Sequence, residues 1–176
     1  MMKYILLASS TAGHICPCLE TADFLKKHRR QFVIISEKKK IPLMLLKDKE
    51  NVVFIDELKK YKSYISFLKI LKQYDKECVF LSFGGRLSTV FPMLYILGYR
   101  NLYIYELNRI MGKSNKIAKP FCKKVFSYFP LSTAKNVKVI GHPQEDRKRL
   151  NYIKERGIKI LVLTGSNGTK ELYELF

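Results

Sequence analysis

The sequence predicts an α/β domain built on a Rossmann-like, doubly wound parallel sheet, and three observations predict it. Short apolar runs alternate with helix-patterned stretches along the whole chain, the order that builds strand–helix–strand units. The apolar runs are continuous, as in strands buried on both faces. Three of them end in glycine-containing turns, Ala8 into Gly13, Ser82 into Gly85 and Leu163 into Gly168. In such sheets ligands bind at that carboxyl edge, where small residues let the chain turn.

The elements follow in order. Residues 3–8 (KYILLA) read as the first buried strand, and a helix follows over about 15–27. Residues 31–36 (QFVIIS) and 51–55 (NVVFI) are the second and third strands, and 60–74 have helical period. Residues 78–82 (CVFLS) are a fourth strand, and the apolar stretch 87–97 is a buried helix. Residues 101–105 (NLYIY) are a fifth strand, followed by a helix over 112–121 and short strands at 124–127 and 137–140. A last strand at 159–163 (KILVL) with the turn Thr164-Gly165-Ser166-Asn167-Gly168 looks like the opening of a second Rossmann unit. The expected organisation is a Rossmann-like domain at 1–143, a charged linker helix at 144–158, and the stub of a second domain at 159–176.

Composition narrows the function classes. Apolar residues make up 47% of the 176, too many for a disordered chain. Lys and Arg number 33 against 15 Asp and Glu, a formal net charge of +18. That excess predicts an anionic partner: nucleic acid, an anionic membrane or a phosphorylated substrate. No RNA- or DNA-binding motif is present, so nucleic acid is not the expected partner. Cys16, Cys18, Cys78 and Cys122 match no zinc spacing, and Cys16-Pro-Cys18 lacks the two-residue gap of a redox pair. Reduced thiols, no metal and no cofactor are expected. No apolar run approaches the ~20 residues that span a bilayer, which predicts a soluble or peripheral protein.

Four stretches carry chemistry. In Ser9-Ser10-Thr11-Ala12-Gly13-His14 a glycine at a helix start lets backbone N–H groups approach a phosphate, and the helix dipole favours the anion. His14 there is a candidate general base; the alternative is an N-cap at Thr11 with a solvent-facing histidine. In Ser82-Phe83-Gly84-Gly85-Arg86 two glycines permit close backbone approach and Arg86 is placed to hold a phosphate; the alternative is a tight strand–helix turn. Glu106 and Asn108 at a strand tip, with Gly112 and Asn115 after them, suit a hydroxyl-rich ligand, although Asn in turns is also ordinary capping chemistry. Residues 58–76 pattern as a basic, aromatic-rich helix. Tyr64, Phe67 and Leu68, with Lys69 and Lys72 beside them, fit either an anionic membrane surface or a core helix with a solvated lysine face.

These stretches, in this order and spacing, resemble the MurG-type glycosyltransferases. That family's GGTGGH loop, followed by an apolar residue, any residue and Pro, is similar to Ser9 through Pro17. Its second glycine loop resembles Phe83-Gly84-Gly85, and its HEQN-x-x-x-G-x-x-N resembles Tyr105-Glu106-Leu107-Asn108 with Gly112 and Asn115. Its GNP resembles Gly141-His142-Pro143, and its GGSQG resembles Thr164 through Gly168. The chain departs from the pattern at Ser9, Ser10, Ala12 and Tyr105. It also has Glu145 where the family usually has an arginine.

The resemblance implies a two-domain, metal-independent inverting transferase that moves N-acetylglucosamine from UDP-GlcNAc to a lipid-diphosphate acceptor, lipid I to lipid II, at the inner face of the cell membrane. It implies His14, Glu106 and Asn108 as catalytic residues. Thr11, Ala12, Gly13, Asn108 and Ser166 would border the donor, and Ser10, Gly13, Gly84, Gly85 and Arg86 the acceptor diphosphate. The family's membrane-facing patch would fall on Tyr64, Phe67, Leu68, Lys69 and Lys72. The second expectation is a non-catalytic, membrane-docking acceptor subunit that needs a separate donor-binding chain.

Overall fold

The computed structural model describes residues 3–59, 61–131 and 136–141. The predicted linker helix and the last strand, with Ser166 and its turn, lie outside the described residues. Among the described residues, seven parallel strands form one sheet: β1 (Lys3–Ala8), β2 (Gln31–Glu37), β3 (Val52–Ile55), β4 (Val79–Ser82), β5 (Leu102–Glu106), β6 (Lys124–Ser127) and β7 (Val137–Val139). Their order is β3-β2-β1-β4-β5-β6-β7. The chain therefore works outward from β1 in one direction, then returns to add β4 on its other side. This is the doubly wound arrangement the sequence predicts.

Side chains alternate across the sheet, so each strand feeds two cores. Ile5 and Leu7 face one core with Ile35, Phe80 and Ile104, and it is covered by Phe67 and Leu71 of α3 (Tyr61–Leu71), Phe91 and Leu94 of α4 (Phe91–Ile96) and Ala118 of α5 (Lys113–Ala118). Leu6 and Ala8 face the other, under Ile15, Cys18, Ala22 and Leu25 of α1 (Ala12–Lys27) and Leu46 of α2 (Lys40–Leu46). Right-handed crossovers produce this division: connections made in opposite directions along the sheet fall on opposite faces.

Besides the helix expected over 112–121, which is α5 followed by a 3-10 turn at Lys119–Phe121, two details differ from the sequence reading. The helix expected over 87–97 is two pieces, a 3-10 helix at Arg86–Val90 and then α4. Pro92, in the first turn of α4, suits a helix start because the N–H it lacks has no intrahelical partner there. The short helix α2 is the other difference. It contains Pro42 and buries Leu46, and its seven residues are too few for a clear period.

The reversal of strand order lies between β1 and β4, whose registers pair Leu7 with Ser82. The loops leaving these two strands are forced together there, opening a crevice at the carboxyl edge.

Candidate active site

The turn after β1 places its hydroxyls on protein partners. Ser9 is only 2% exposed, and its Oγ accepts the Leu87 N–H at 3.1 Å. This ties the first loop to the 3-10 helix after β4. Lys39 Nζ reaches Ser10 Oγ at 3.5 Å. Thr11 occupies the N-cap position in extended conformation, yet its hydroxyl makes no cap bond. It lies 3.0 Å from His14 Nδ1 instead. Beside it Gly13 is open, since the nearest atom a Cβ would meet is Thr11 Oγ1 at 4.0 Å. Ala12 and Gly13 thus form an uncrowded first turn of α1, where the helix dipole favours an anion.

His14 is held from its other side by the second glycine loop. A Cβ on Gly84 would lie 3.1 Å from His14 Nε2, and one on Gly85 would lie 3.2 Å from Cε1. The imidazole therefore lies against bare backbone, which is why two side-chain-free residues stand there. Burial pushes the His14 pKa below its ordinary value, and the negative charge of Glu106 opposes the shift. The ring is neutral at neutral pH and able to accept a proton.

Glu106 closes the crevice from β5, and its carboxylate is held on both oxygens by protein donors. It is 2% exposed and fully engaged. Oε1 accepts the Asn108 N–H at 3.0 Å and Asn108 Nδ2 at 2.9 Å. Oε2 accepts the Gly112 N–H at 3.0 Å and Asn115 Nδ2 at 2.8 Å. A carboxylate with both oxygens committed inside the protein is a scaffold for the loop between β5 and α5. The network continues inward: Ser88 Oγ donates to Asn115 Oδ1 at 2.6 Å and lies 2.7 Å from Ser82 Oγ. Ser88 is invisible to sequence reasoning, because its importance depends on the strand ends that meet around it. Tyr105 donates its hydroxyl to the Gly141 carbonyl, and burial pushes its pKa up to about 12.

Arg86, expected to clamp a phosphate, pairs instead with Glu57 at 3.3 Å. Glu57 also pairs with Lys59 at 2.6 Å and with Lys39. Hydrogen bonds from Lys39, then Lys59, pull the Glu57 carboxyl down to about 2.

The helix α3 packs against the sheet. Phe67 is 1% exposed in the core, and Tyr64 packs on that core with its hydroxyl 3.1 Å from Thr89 Oγ1. Both rings pack toward the sheet, as in the core-helix reading, with Phe67 buried and Tyr64 partly buried. Leu68 is half-buried, whereas Tyr61, Lys62, Lys69 and Lys72 are exposed. Exposed apolar surface that the sequence did not flag stands at Tyr95 and Ile96 on α4, with the Arg100 guanidinium 4.0 Å from the Tyr95 ring centre, and at Ile117 on α5. Among the described residues no helix is long and apolar enough to cross a membrane. No cluster of three or more His, Cys, Asp or Glu is placed there to hold a metal ion. The four cysteines are free thiols.

No protein-family model matches the chain. Curated relatives do. A UDP-N-acetylglucosamine--N-acetylmuramyl-(pentapeptide) pyrophosphoryl-undecaprenol N-acetylglucosamine transferase from Sulfurihydrogenibium is 30% identical, over 99% of this chain and 57% of the relative. The transferase of the same description from Fusobacterium nucleatum is 27% identical over 98% of this chain and 55% of its own length. The chain spans about half the length of the curated relatives it matches. Among solved structures, Acinetobacter baumannii MurG superposes with a TM-score of 0.70 at 22% identity, covering 83% of this chain and 47% of that one. This likeness carries the fold.

Proposed function

The chain belongs to the MurG-type family of N-acetylglucosamine transferases, and from that premise we propose that it provides the acceptor side of a sugar transfer from UDP-GlcNAc to a lipid-linked diphosphate. The observation that carries this reading is His14. It is neutral, braced by Thr11 and seated on Gly84-Gly85 at the point where the strand order reverses. With Nδ1–H donating to Thr11 Oγ1, Nε2 is left as the base that takes the acceptor hydroxyl's proton as that oxygen attacks the anomeric carbon. Asn108, exposed but fixed by Glu106, offers its remaining amide capacity to a sugar. Ala12 and Gly13 offer backbone N–H groups to an anion. Glu106 acts through this loop as a positioning residue. Charge that develops on the leaving diphosphate is stabilised by such dipoles and by cations.

The assay is direct: the purified chain is mixed with UDP-GlcNAc and a lipid-diphosphate acceptor, and sugar transfer is followed. Transfer that falls by about 100-fold or more in His14→Ala supports the role of the base. Transfer unaffected by that substitution refutes it. Transfer that requires an added second chain would make this one an acceptor subunit. The anionic membrane enters the proposal through the exposed lysines Lys62, Lys69 and Lys72 and the apolar surface at Tyr95, Ile96 and Ile117. Binding to anionic vesicles that disappears at high salt supports the electrostatic part. Equal binding to neutral vesicles overturns it.

A further inference from the structure

The amino edge of the sheet, at the far end of β1 from His14, holds a second concavity of about 450 Å³. Lys3 and Phe32 line it from the starts of β1 and β2, Lys26, Arg29 and Arg30 from the end of α1 and the turn after it, and Asn51 from the turn before β3. Four cations therefore line it against a single carboxylate, Glu50. Two of them are engaged: Lys26 pairs with Glu50 at 3.2 Å, and Lys3 Nζ lies 5.0 Å from the centre of the Tyr74 ring. Arg29 and Arg30 are exposed, and among the described residues neither side chain has an ion pair or a hydrogen bond. Their backbone closes the helix. The Arg30 N–H donates to the Leu25 carbonyl at 2.9 Å and the Arg29 N–H to the Lys26 carbonyl at 3.0 Å. This cap holds Arg29 at φ +53°, a left-handed position where glycine is the usual residue. A residue kept in a disfavoured conformation, with a side chain that stabilises nothing in the fold, points to a ligand. The same cap occupies the last carbonyls of α1, acceptors that an anion would otherwise face.

We propose that this amino-edge cavity binds an organic phosphate, with the phosphoryl group on Arg29 and Arg30 and the organic group against Phe32. A guanidinium offers paired N–H donors that match phosphate oxygens, and these two have no carboxylate to give up first. Lys3 and Lys26 add to the local positive field. The volume falls within the roughly 300–1,000 Å³ of small-molecule sites and far exceeds a bare phosphate ion. Phe32 is half-buried and supplies an apolar wall. Asn51 is fixed by its carbonyl, which accepts the Ile34 N–H at 2.8 Å, and its side-chain amide offers both a donor and an acceptor. The length of β1 separates this site from the Ser9–His14 loop, so it goes beyond the sugar-transfer reading and does not depend on it.

The probe is phenyl phosphate, titrated into the full isotope-labelled chain and followed by amide NMR, with inorganic phosphate in parallel. Amide shifts are expected at Arg29 to Val33 and at Asn51, and phenyl phosphate is expected to bind more tightly than phosphate. Arg29→Gly combined with Arg30→Gln is expected to weaken binding by about tenfold or more. Glycine suits the left-handed backbone at position 29, so this variant keeps the helix cap while losing both guanidinium groups. Lys69→Gln combined with Lys72→Gln removes the same charge from α3 and is expected to leave binding within about twofold. Shifts confined to the Ser9–His14 loop, equal losses in the two double variants, no preference over inorganic phosphate, or no binding by the unaltered chain would each overturn the site. A single-stranded oligonucleotide that binds at the same amides more tightly than phenyl phosphate would reassign the surface to nucleic acid and overturn it too.

Discussion

Gly85→Ala tests how tightly the two glycine loops are joined. Gly85 has φ +72°, and an added Cβ would lie 2.6 Å from Ser9 Oγ and closer still to Ser9 Cβ. Two penalties combine. At φ +72° and ψ −166° Gly85 holds a backbone conformation that essentially only glycine adopts, costing an alanine about 1–3 kcal/mol, and overpacking against a buried neighbour adds about 1–3 kcal/mol. Gly98 supplies the control: its φ is +92° but nothing lies within 4 Å of its would-be Cβ. Gly98→Ala therefore carries the backbone penalty alone. Both substitutions restrict the unfolded chain alike, so that effect cancels between them. Gly85→Ala should be the less stable of the two by roughly 1–3 kcal/mol, read as a midpoint difference in urea unfolding followed by circular dichroism. In a domain of this size the gap is about 2–12 °C in Tm. Ser9→Gly in the Gly85→Ala background removes the atoms in the way and should recover part of the loss, despite giving up the bond to Leu87 N. If the two alanine variants are equally stable, or Ser9→Gly rescues nothing, the close approach of the loops is refuted.

Other expectations follow from the same contacts. His14 should titrate below its ordinary value of 6.5 in NMR. The unfolded chain then binds the proton more readily, so this group's contribution to stability is present above the ordinary value and is lost as pH falls toward the folded-state pKa; a His14→Gln variant should lack that part of the stability–pH slope. Asn115→Ala, which deprives Ser88 Oγ of its Asn115 acceptor and Glu106 Oε2 of one donor, should cost about 1–3 kcal/mol in thermal unfolding. Phe67→Ala should cost about 3–5 kcal/mol in the same measurement. Lys69→Gln with Lys72→Gln should change stability by less than about 1 kcal/mol while lowering affinity for anionic vesicles.

Much of the fold was legible because continuous apolar runs with glycine turns leave few alternatives. β1 through β7 fall within a residue of where those runs predict them. The two readings that α3 allowed are instructive. A wide apolar arc reports how much helix surface is covered but not by what, and here Phe67 and Leu71 are covered by the sheet. The position of His14 was legible, since a histidine just after a glycine turn at a strand end has few places to go. The work of Glu106 was not. Its four hydrogen bonds include neighbours two residues away, but the network reaches Ser88 and Ser82 only because β4 and β5 lie side by side. The Glu57 group was hidden for the same reason, because its cations come from three loops that only the parallel sheet aligns.

The strand order also dictates how the chain can be made. β1 emerges from synthesis before the other described strands, yet it ends in the middle of the sheet with β2 on one edge and β4 on the other. β2 and β3 are completed early and can pair at once, but the second edge of β1 stays open until Val79–Ser82 exists. During that interval a half-sheet presents unpaired backbone and the apolar side chains Ile5 and Leu7, the kind of surface that captures other chains. The crevice that defines the molecule's chemistry is thus the last-sealed seam of its first half, and errors in production should concentrate there.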